Sequence, residues 1–319
     1  MNLLYSLTRN IILKLKSFLI EWKSINLENN ITQVIQNAAI NVDSGVFYSN
    51  KAPIVQSFFG KNKMLKLIKI GFKYSILEKS VFTVIQHGPW ENYYHWYIDS
   101  VSRVWGLHDQ CSVSYSTVKL YLSKDLNLLE LDFLKALLPP NVKIVQVAKG
   151  TLVRGHKAIY LPFLSRDCSG SLPSDFLKFY LDKAVSFFNL QKMKNAPLKL
   201  FVSRRSANKR RIINEAELIE LIESAGYLVV ECDNLNIGEQ ASLFYNANKI
   251  LAQHGAALTN LLYVESAEIV EIFHSANTHL NHYRDLCLQK RLQYTSVYLN
   301  GPDKDSDIYL DLKIIKALL

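Results

Sequence analysis

The sequence predicts an α/β protein of two units, and three observations predict it. Short apolar runs of strand character alternate with helical patterns along most of the 319 residues. The polar stretch Gln191 to Pro197 separates two such alternating series. The buried-strand pattern Lys249-Ile250-Leu251-Ala252 runs into the turn Gln253-His254-Gly255-Ala256-Ala257 and then into a helix start. A strand that ends in small residues and hands over to a helix presents backbone N–H groups and a positive dipole end to an anion.

Composition sets the limits. An apolar fraction of 49% with only 20% charged residues fits a folded chain and excludes disorder. No run of 18 uncharged apolar residues marks a membrane span. Lys and Arg exceed Asp and Glu by 37 to 28, a net charge of +9 that favours phosphorylated ligands, nucleic acid or an acidic lipid surface. The cysteines Cys111, Cys168, Cys232 and Cys287 form no C-x-x-C pair, which argues against a zinc site or a disulfide framework and for a reducing cytoplasm.

The elements follow in order. Residues 1–30 carry Leu4, Leu7, Ile11, Leu15, Phe18 and Trp22 at helical spacing, with Arg9, Lys14, Lys16 and Lys23 among them. This basic amphipathic helix either packs on the body or lies in a membrane interface through residues 1–23. Residues 31–192 form the first domain. Strands are expected at Met64 to Ile70 and Val81 to Ile85, a helix over Tyr93 to His108, a strand at Lys119 to Leu122, a helix over Asp132 to Leu138 and a strand at Val142 to Val147. A helix over Asp175 to Leu190 leads to the junction. The second domain, 193–302, reads as strand Leu198 to Val202, a basic loop, helix Glu215 to Ala225, strand Tyr227 to Glu231, helix Gly238 to Asn246, strand Lys249 to Ala252 and strand Glu268 to Phe273. In doubly wound sheets of this kind ligands bind beyond the carboxyl ends of the strands. The tail 303–319, helical in pattern from Asp305, is expected to cross back to the first domain.

Three groups of residues carry chemistry. The loop Ser203 to Arg211 holds five cationic side chains directly after a strand, a match for a diphosphate or, failing that, a solvated basic loop. His95, Asp99 and Arg103 recur four apart on a predicted helix, either as a carboxylate general base with charged neighbours or as a surface network of i,i+4 pairs. His254 is either a structural histidine at a strand end or a ligand contact beside Gly255, while Glu271, inside an apolar strand, either pairs internally or binds hydroxyls.

Four motifs in this order, N-x-x-H-W-x-x-D at Asn92 to Asp99, S-R-R with R-R-I-x-N-E from Ser203 to Glu215, E-Q-A at Glu239 to Ala241 and H-G-A-x-L-T-N at His254 to Asn260, resemble glycosyltransferase family 61 over roughly residues 80 to 275. The resemblance implies a GT-B-like α/β fold, two Rossmann-like domains facing a cleft. It further implies an inverting, metal-independent transfer from a nucleotide sugar, a UDP-sugar being the commonest donor, to a glycan or lipid-linked glycan acceptor in surface polysaccharide synthesis at the cytoplasmic face of a membrane. It assigns Asp99 as base with His95 the alternative. Ser203, Arg204, Arg205, Arg211, Gln240, His254, Gly255, Ala256, Asn260 and Glu271 fall to the donor, and Asn92 and Arg103 to the acceptor side. No metal or cofactor is expected. The competing readings are a nucleic-acid-binding module using the Arg204 to Arg211 loop, disfavoured because no aromatics are interleaved, and a catalytically silent nucleotide-sugar-binding scaffold.

Overall fold

The computed structural model describes residues 31–50, 52–54, 73–88, 91–165, 170–193, 198–208, 210–274, 280–299 and 307–319. The amphipathic pattern of residues 1–30 and the strand expected at Met64 to Ile70 lie outside them. Among the described residues no helix is long and apolar enough to cross a membrane. The chain forms two compact units interleaved in sequence: Met1–Gly88, Gly106–Lys124 and Pro139–Pro162 make the first, and Pro89–Trp105, Asp125–Leu138 and Phe163–Leu319 the second. The fold is α/β in both.

The first unit is built on a mixed sheet. Its strands β1 (Gln33–Asn41), β2 (Val46–Ser49), β3 (Ala52–Pro53), β4 (Tyr74–Glu78), β5 (Val81–Thr83), β6 (Val118–Leu122), β7 (Val142–Gln146) and β8 (Thr151–Tyr160) take the order β3-β2-β1-β8-β5-β6-β7, with β4 also on β8. Pairing is antiparallel among β1, β2, β3 and β8 and parallel elsewhere. The core gathers Ile35, Ala38 and Ile40 of β1 with Phe47, Phe82, Val153 and Tyr160.

A buried carboxylate ties this sheet together. Glu78, at the end of β4, accepts from the Tyr121 hydroxyl, from the Ser80 N–H at 2.7 Å and from Lys119 Nζ at 3.0 Å. Burial alone would raise its pKa, but these hydrogen bonds and the Lys119 charge hold it down at about 2. A depressed folded-state value contributes stability above the ordinary carboxylate range, and the contribution is lost as pH falls from 4.5 through about 2. Glu78→Gln is therefore expected to lower the urea midpoint at pH 7 by more than at pH 3. An equal loss at both pH values would remove the charge from the explanation.

The second unit holds an all-parallel sheet of β9 (Leu198–Val202), β10 (Tyr227–Val230), β11 (Ala247–Gln253), β12 (Glu268–His274) and β13 (Gln293–Leu299) in the order β10-β9-β11-β12-β13. Its inner strands are apolar on consecutive residues, with Leu200, Phe201 and Val202, Ile250, Leu251 and Ala252, and Ile269 and Val270 all buried. That is the pattern of strands covered on both faces, which only parallel sheets with crossover helices provide. The unit also contains the helices α1 (Leu128–Ala136), α2 (Ser174–Phe188), α3 (Glu215–Ser224), α4 (Ile237–Asn246) and α5 (His282–Lys290), and a 3-10 segment over Ala256–Tyr263. Capping boxes start α1 at Asn127 with Glu130 and α4 at Asn236 with Glu239. From β9 the chain winds first to one side and then, at β11, to the other. The carboxyl ends of β9 and β11 thus flank the point where ligands bind in sheets of this order.

Three features depart from the sequence expectations. Tyr93 to His108 is a π-helical turn, His95–Ser100, continued by a 3-10 segment, Val101–His108. Residues 96–100 are all buried, so no solvent face enforces a 3.6-residue period and packing decides the backbone form. The C-terminal segment packs on the second sheet instead of leaving it. Ile308 bridges Ile212, Asn214 exchanges two hydrogen bonds with the Leu310 backbone, and Ile315 of α6 (Leu312–Lys316) joins the core of Phe201, Leu218 and Val270. Buried Asn214 and the bulk of Ile308, Leu310 and Ile315 hold it there. Finally, α5 and β13 have no counterpart in the sequence reading, because residues 282–290 lack a strong apolar stripe and β13 is a half-exposed strand.

Candidate active site

The carboxyl ends of β9 and β11 meet at Arg204 and Gly255. A Cβ built on Gly255 would stand 2.1 Å from Arg204 Nη1 and 3.0 Å from its Cζ, so the guanidinium occupies the space the glycine leaves open. Gly255 itself is extended, at φ −179, so the glycine is needed for close approach and not for its backbone angle. Burial, and then the charge of Arg210, lower the Arg204 pKa from its ordinary value. Two cations at a desolvated strand end favour an anion between or beside them. The loop is shaped for this: Arg210 adopts a left-handed φ of 57, and its carbonyl accepts from Arg204 Nε at 3.3 Å. Glu215 accepts from the Ser203 hydroxyl and the Arg204 N–H, and Ser203 Oγ accepts from the Arg205 N–H at 3.2 Å. Ser203 thus shapes the loop instead of facing a ligand.

The other two arginines expected at the donor are engaged elsewhere. Arg205 holds Glu231 through Nε at 2.6 Å and Nη2 at 2.5 Å. Arg211 clasps Asp307 through Nε at 3.1 Å and Nη2 at 2.8 Å, and its N–H donates to the same carboxylate at 2.7 Å. Both line a separate depression of about 440 Å3 with Ile212 and Glu215. Alternate residues of an irregular loop point apart, so the pair that serves the strand ends is Arg204 with Arg210.

His254 continues the β11 ladder, its N–H donating to the Ile272 carbonyl at 2.9 Å. Its Nδ1 lies 2.6 Å from Glu271 Oε1, and Tyr294 donates to Glu271 Oε2 at 2.7 Å. Glu271 is fully buried with both oxygens engaged by protein partners, the geometry of internal pairing with His254 and Tyr294. The His254 ring is also packed between Phe273, stacked at 4.9 Å, and Tyr283 of α5 at 5.5 Å. Ala256 opens the 3-10 segment that follows Gly255.

Gln240 and Asn260 likewise turn inward. Gln240 donates to the carbonyls of Cys232 at 3.1 Å and Leu235 at 2.9 Å, and accepts from Asn260 Nδ2 at 2.7 Å. Asn260 Oδ1 in turn accepts from the Tyr93 hydroxyl at 2.9 Å. This relay ties the start of the 93–108 segment to the second sheet. Asn260→Ala leaves buried Gln240 and the half-buried Tyr93 without these partners and is expected to cost about 1–3 kcal/mol of stability. The measurement is a thermal melt beside nucleotide affinity: a normal melt with lost affinity would return Asn260 to the ligand.

The relay presents His95 and Asp99. Asn92 Oδ1 accepts from the Tyr94 and His95 N–H groups at 2.9 and 3.4 Å, so Asn92 caps the turn instead of meeting an acceptor. His95 Nδ1 sits 2.6 Å from Asp99 Oδ2; the His95 side chain is 29% exposed and that of Asp99 1%. Burial raises the Asp99 pKa, against the lowering influence of the His95 hydrogen bond and of His95, His282 and Arg103 as charges. Arg103 is fully buried over the Phe163 ring at 4.5 Å, and so is no acceptor-facing group. His282, at the start of α5, bridges the two histidine pairs: its ring is 5.1 Å from Tyr94, which neighbours His95, and 6.3 Å from His254. A Cβ on Gly170, at φ +103, would collide with the His282 carbonyl at 2.0 Å, so that glycine permits the close approach that seats α5. Neither His282 nor Tyr283 lies in a motif, and no signal in the sequence marks them.

The geometry supplies a cationic pair at a parallel-sheet switch point and a carboxylate-held histidine in the same unit. The family model of Glycosyltransferase 61 matches residues 93–270, a span that runs from Tyr93 to β12 and includes both. No curated protein matches the chain.

Proposed function

Because the chain belongs to glycosyltransferase family 61, we propose that it transfers a sugar, with inversion and without an obligatory metal, from a nucleotide sugar of the UDP class to a glycan acceptor. The contact of Arg204 with Gly255 at the β9 and β11 ends carries this reading. The donor diphosphate takes the anion position offered by Arg204 and Arg210. His95 acts as the base, because it is the exposed member of its pair, and Asp99 fixes its tautomer. Nδ1–H faces Asp99, and Nε2 is the ring nitrogen that takes the acceptor's proton. The acceptor oxygen bonds to the anomeric carbon as its proton passes to Nε2, and the bond from that carbon to the diphosphate oxygen breaks. The arginines stabilise the departing charge, an electrostatic role.

The GT-B-like architecture, the surface-polysaccharide role and a position at the cytoplasmic face of a membrane belong to the same proposal. The basic amphipathic pattern of residues 1–23 supports the last. Incubation with a panel of nucleotide sugars and glycan acceptors tests the function, read as release of nucleoside diphosphate and a product of inverted anomeric configuration. Donor binding without turnover on any acceptor would favour the silent scaffold. Retention on RNA with a steep salt slope, and no response to nucleotide sugars, would favour the nucleic-acid reading. Activity is expected to survive EDTA, and strict dependence on a divalent ion would overturn the metal-free mechanism. Flotation with anionic liposomes, with and without residues 1–23, tests the membrane contact.

A further inference from the structure

Three rings form a row across the carboxyl ends of neighbouring strands. His254 follows β11, Phe273 lies in β12 and Tyr298 in β13, with Phe273 and Tyr298 in register. His254 stacks on Phe273 at 4.9 Å and 24°, and Phe273 on Tyr298 at 5.2 Å and 22°. The first two rings are buried, whereas Tyr298 is 45% exposed on the edge strand. Arg204 stands at the inner end of the row, against Gly255. From Gly255, at the end of β11, to the edge strand β13 is two strand intervals, about 10 Å, a span that a nucleoside diphosphate covers.

We infer that Tyr298 is the stacking platform for the nucleobase of the donor, and that the nucleoside runs from the Arg204 anion position along the ends of β11, β12 and β13. This rests on the donor-site reading above and adds to it the group that holds the base. An aromatic face backed by a second, buried ring keeps its orientation before a ligand arrives, so little ordering is needed on binding. Stacking accepts any base, since every base has a π face. Tyr298 therefore provides affinity for a nucleoside and leaves discrimination among bases to other groups.

Calorimetric titration of the full chain with UDP, CDP, GDP, ADP and inorganic pyrophosphate tests this, for the native protein, Tyr298→Ala and Tyr298→Phe. Tyr298→Ala is expected to weaken the preferred nucleoside diphosphate on the order of 10- to 100-fold and to leave pyrophosphate unchanged, while Tyr298→Phe keeps both. Unchanged nucleoside diphosphate affinity in Tyr298→Ala overturns the platform, as does an equal loss for pyrophosphate. If the native protein binds neither pyrophosphate nor any nucleoside diphosphate, the donor-site reading itself fails. The exposed position on an edge strand makes both variants tolerable to the fold, and a thermal melt checks that they are.

Discussion

His95→Ala is expected to reduce sugar transfer by about 10²- to 10⁴-fold, the usual worth of a positioned general base, with donor affinity little changed. Added imidazole is expected to restore part of the rate, because the substitution removes a ring that is 29% exposed and leaves room for it next to Asp99. Asp99→Asn is expected to reduce the rate less steeply, since the ring stays in place but loses the carboxylate that fixes its tautomer and stabilises its protonated form. If Asp99 were itself the base, Asp99→Asn would be the more damaging change and imidazole would rescue nothing in His95→Ala. The geometry favours histidine because a side chain 1% exposed and covered by its partner cannot meet an incoming hydroxyl.

The second large effect concerns Gly255. A methyl group there would stand 2.1 Å from Arg204 Nη1, the far end of a flexible side chain. The guanidinium moves before the backbone does, so Gly255→Ala is expected to fold normally and yet to bind nucleoside diphosphate weakly. A displaced charge-assisted contact is worth about 1.5–3 kcal/mol, roughly 10- to 100-fold in Kd. Arg204→Ala should weaken binding by a similar factor, and the double variant by little more than either alone, because both act on one contact. Arg205→Ala and Arg211→Ala should leave affinity near native, since their partners are Glu231 and Asp307. Additive losses in the double variant, or a strong loss in Arg211→Ala, would place the anion elsewhere in the loop.

Much of the second unit was legible in advance. The strand at Leu198 to Val202 appears at those bounds, and the neighbouring helices and strands fall within one or two residues of their expected ends. Buried parallel strands are short apolar runs set between helices, a signal local enough to read. The turn at Gly255 was legible for the same reason. The first unit was less so: β1 and β8 pair across more than a hundred residues of chain, and half-buried antiparallel strands mix polar and apolar residues. Motif residues were also easier to find than to assign. Gln240 and Asn260 turned out to bond to each other, Asn260 also to Tyr93 and Glu271 to His254, and a buried polar side chain looks the same in sequence whether its partner is a ligand or the protein.

By itself, then, the sequence determined the α/β class, the alternating elements of the second unit, the small-residue turn after β11 and the family. Those rest on local periodicity, on small residues after a strand and on the order of four motifs. Only the tertiary structure decided that Arg204 and Arg210 serve the strand ends while Arg205 and Arg211 do not. It alone showed that Asp99 lies beneath His95, and that Tyr298 ends a row of stacked rings. Each of these depends on where a side chain finds its partner across tens of residues of chain, and burial and hydrogen bonding fix that only once the sheet has formed.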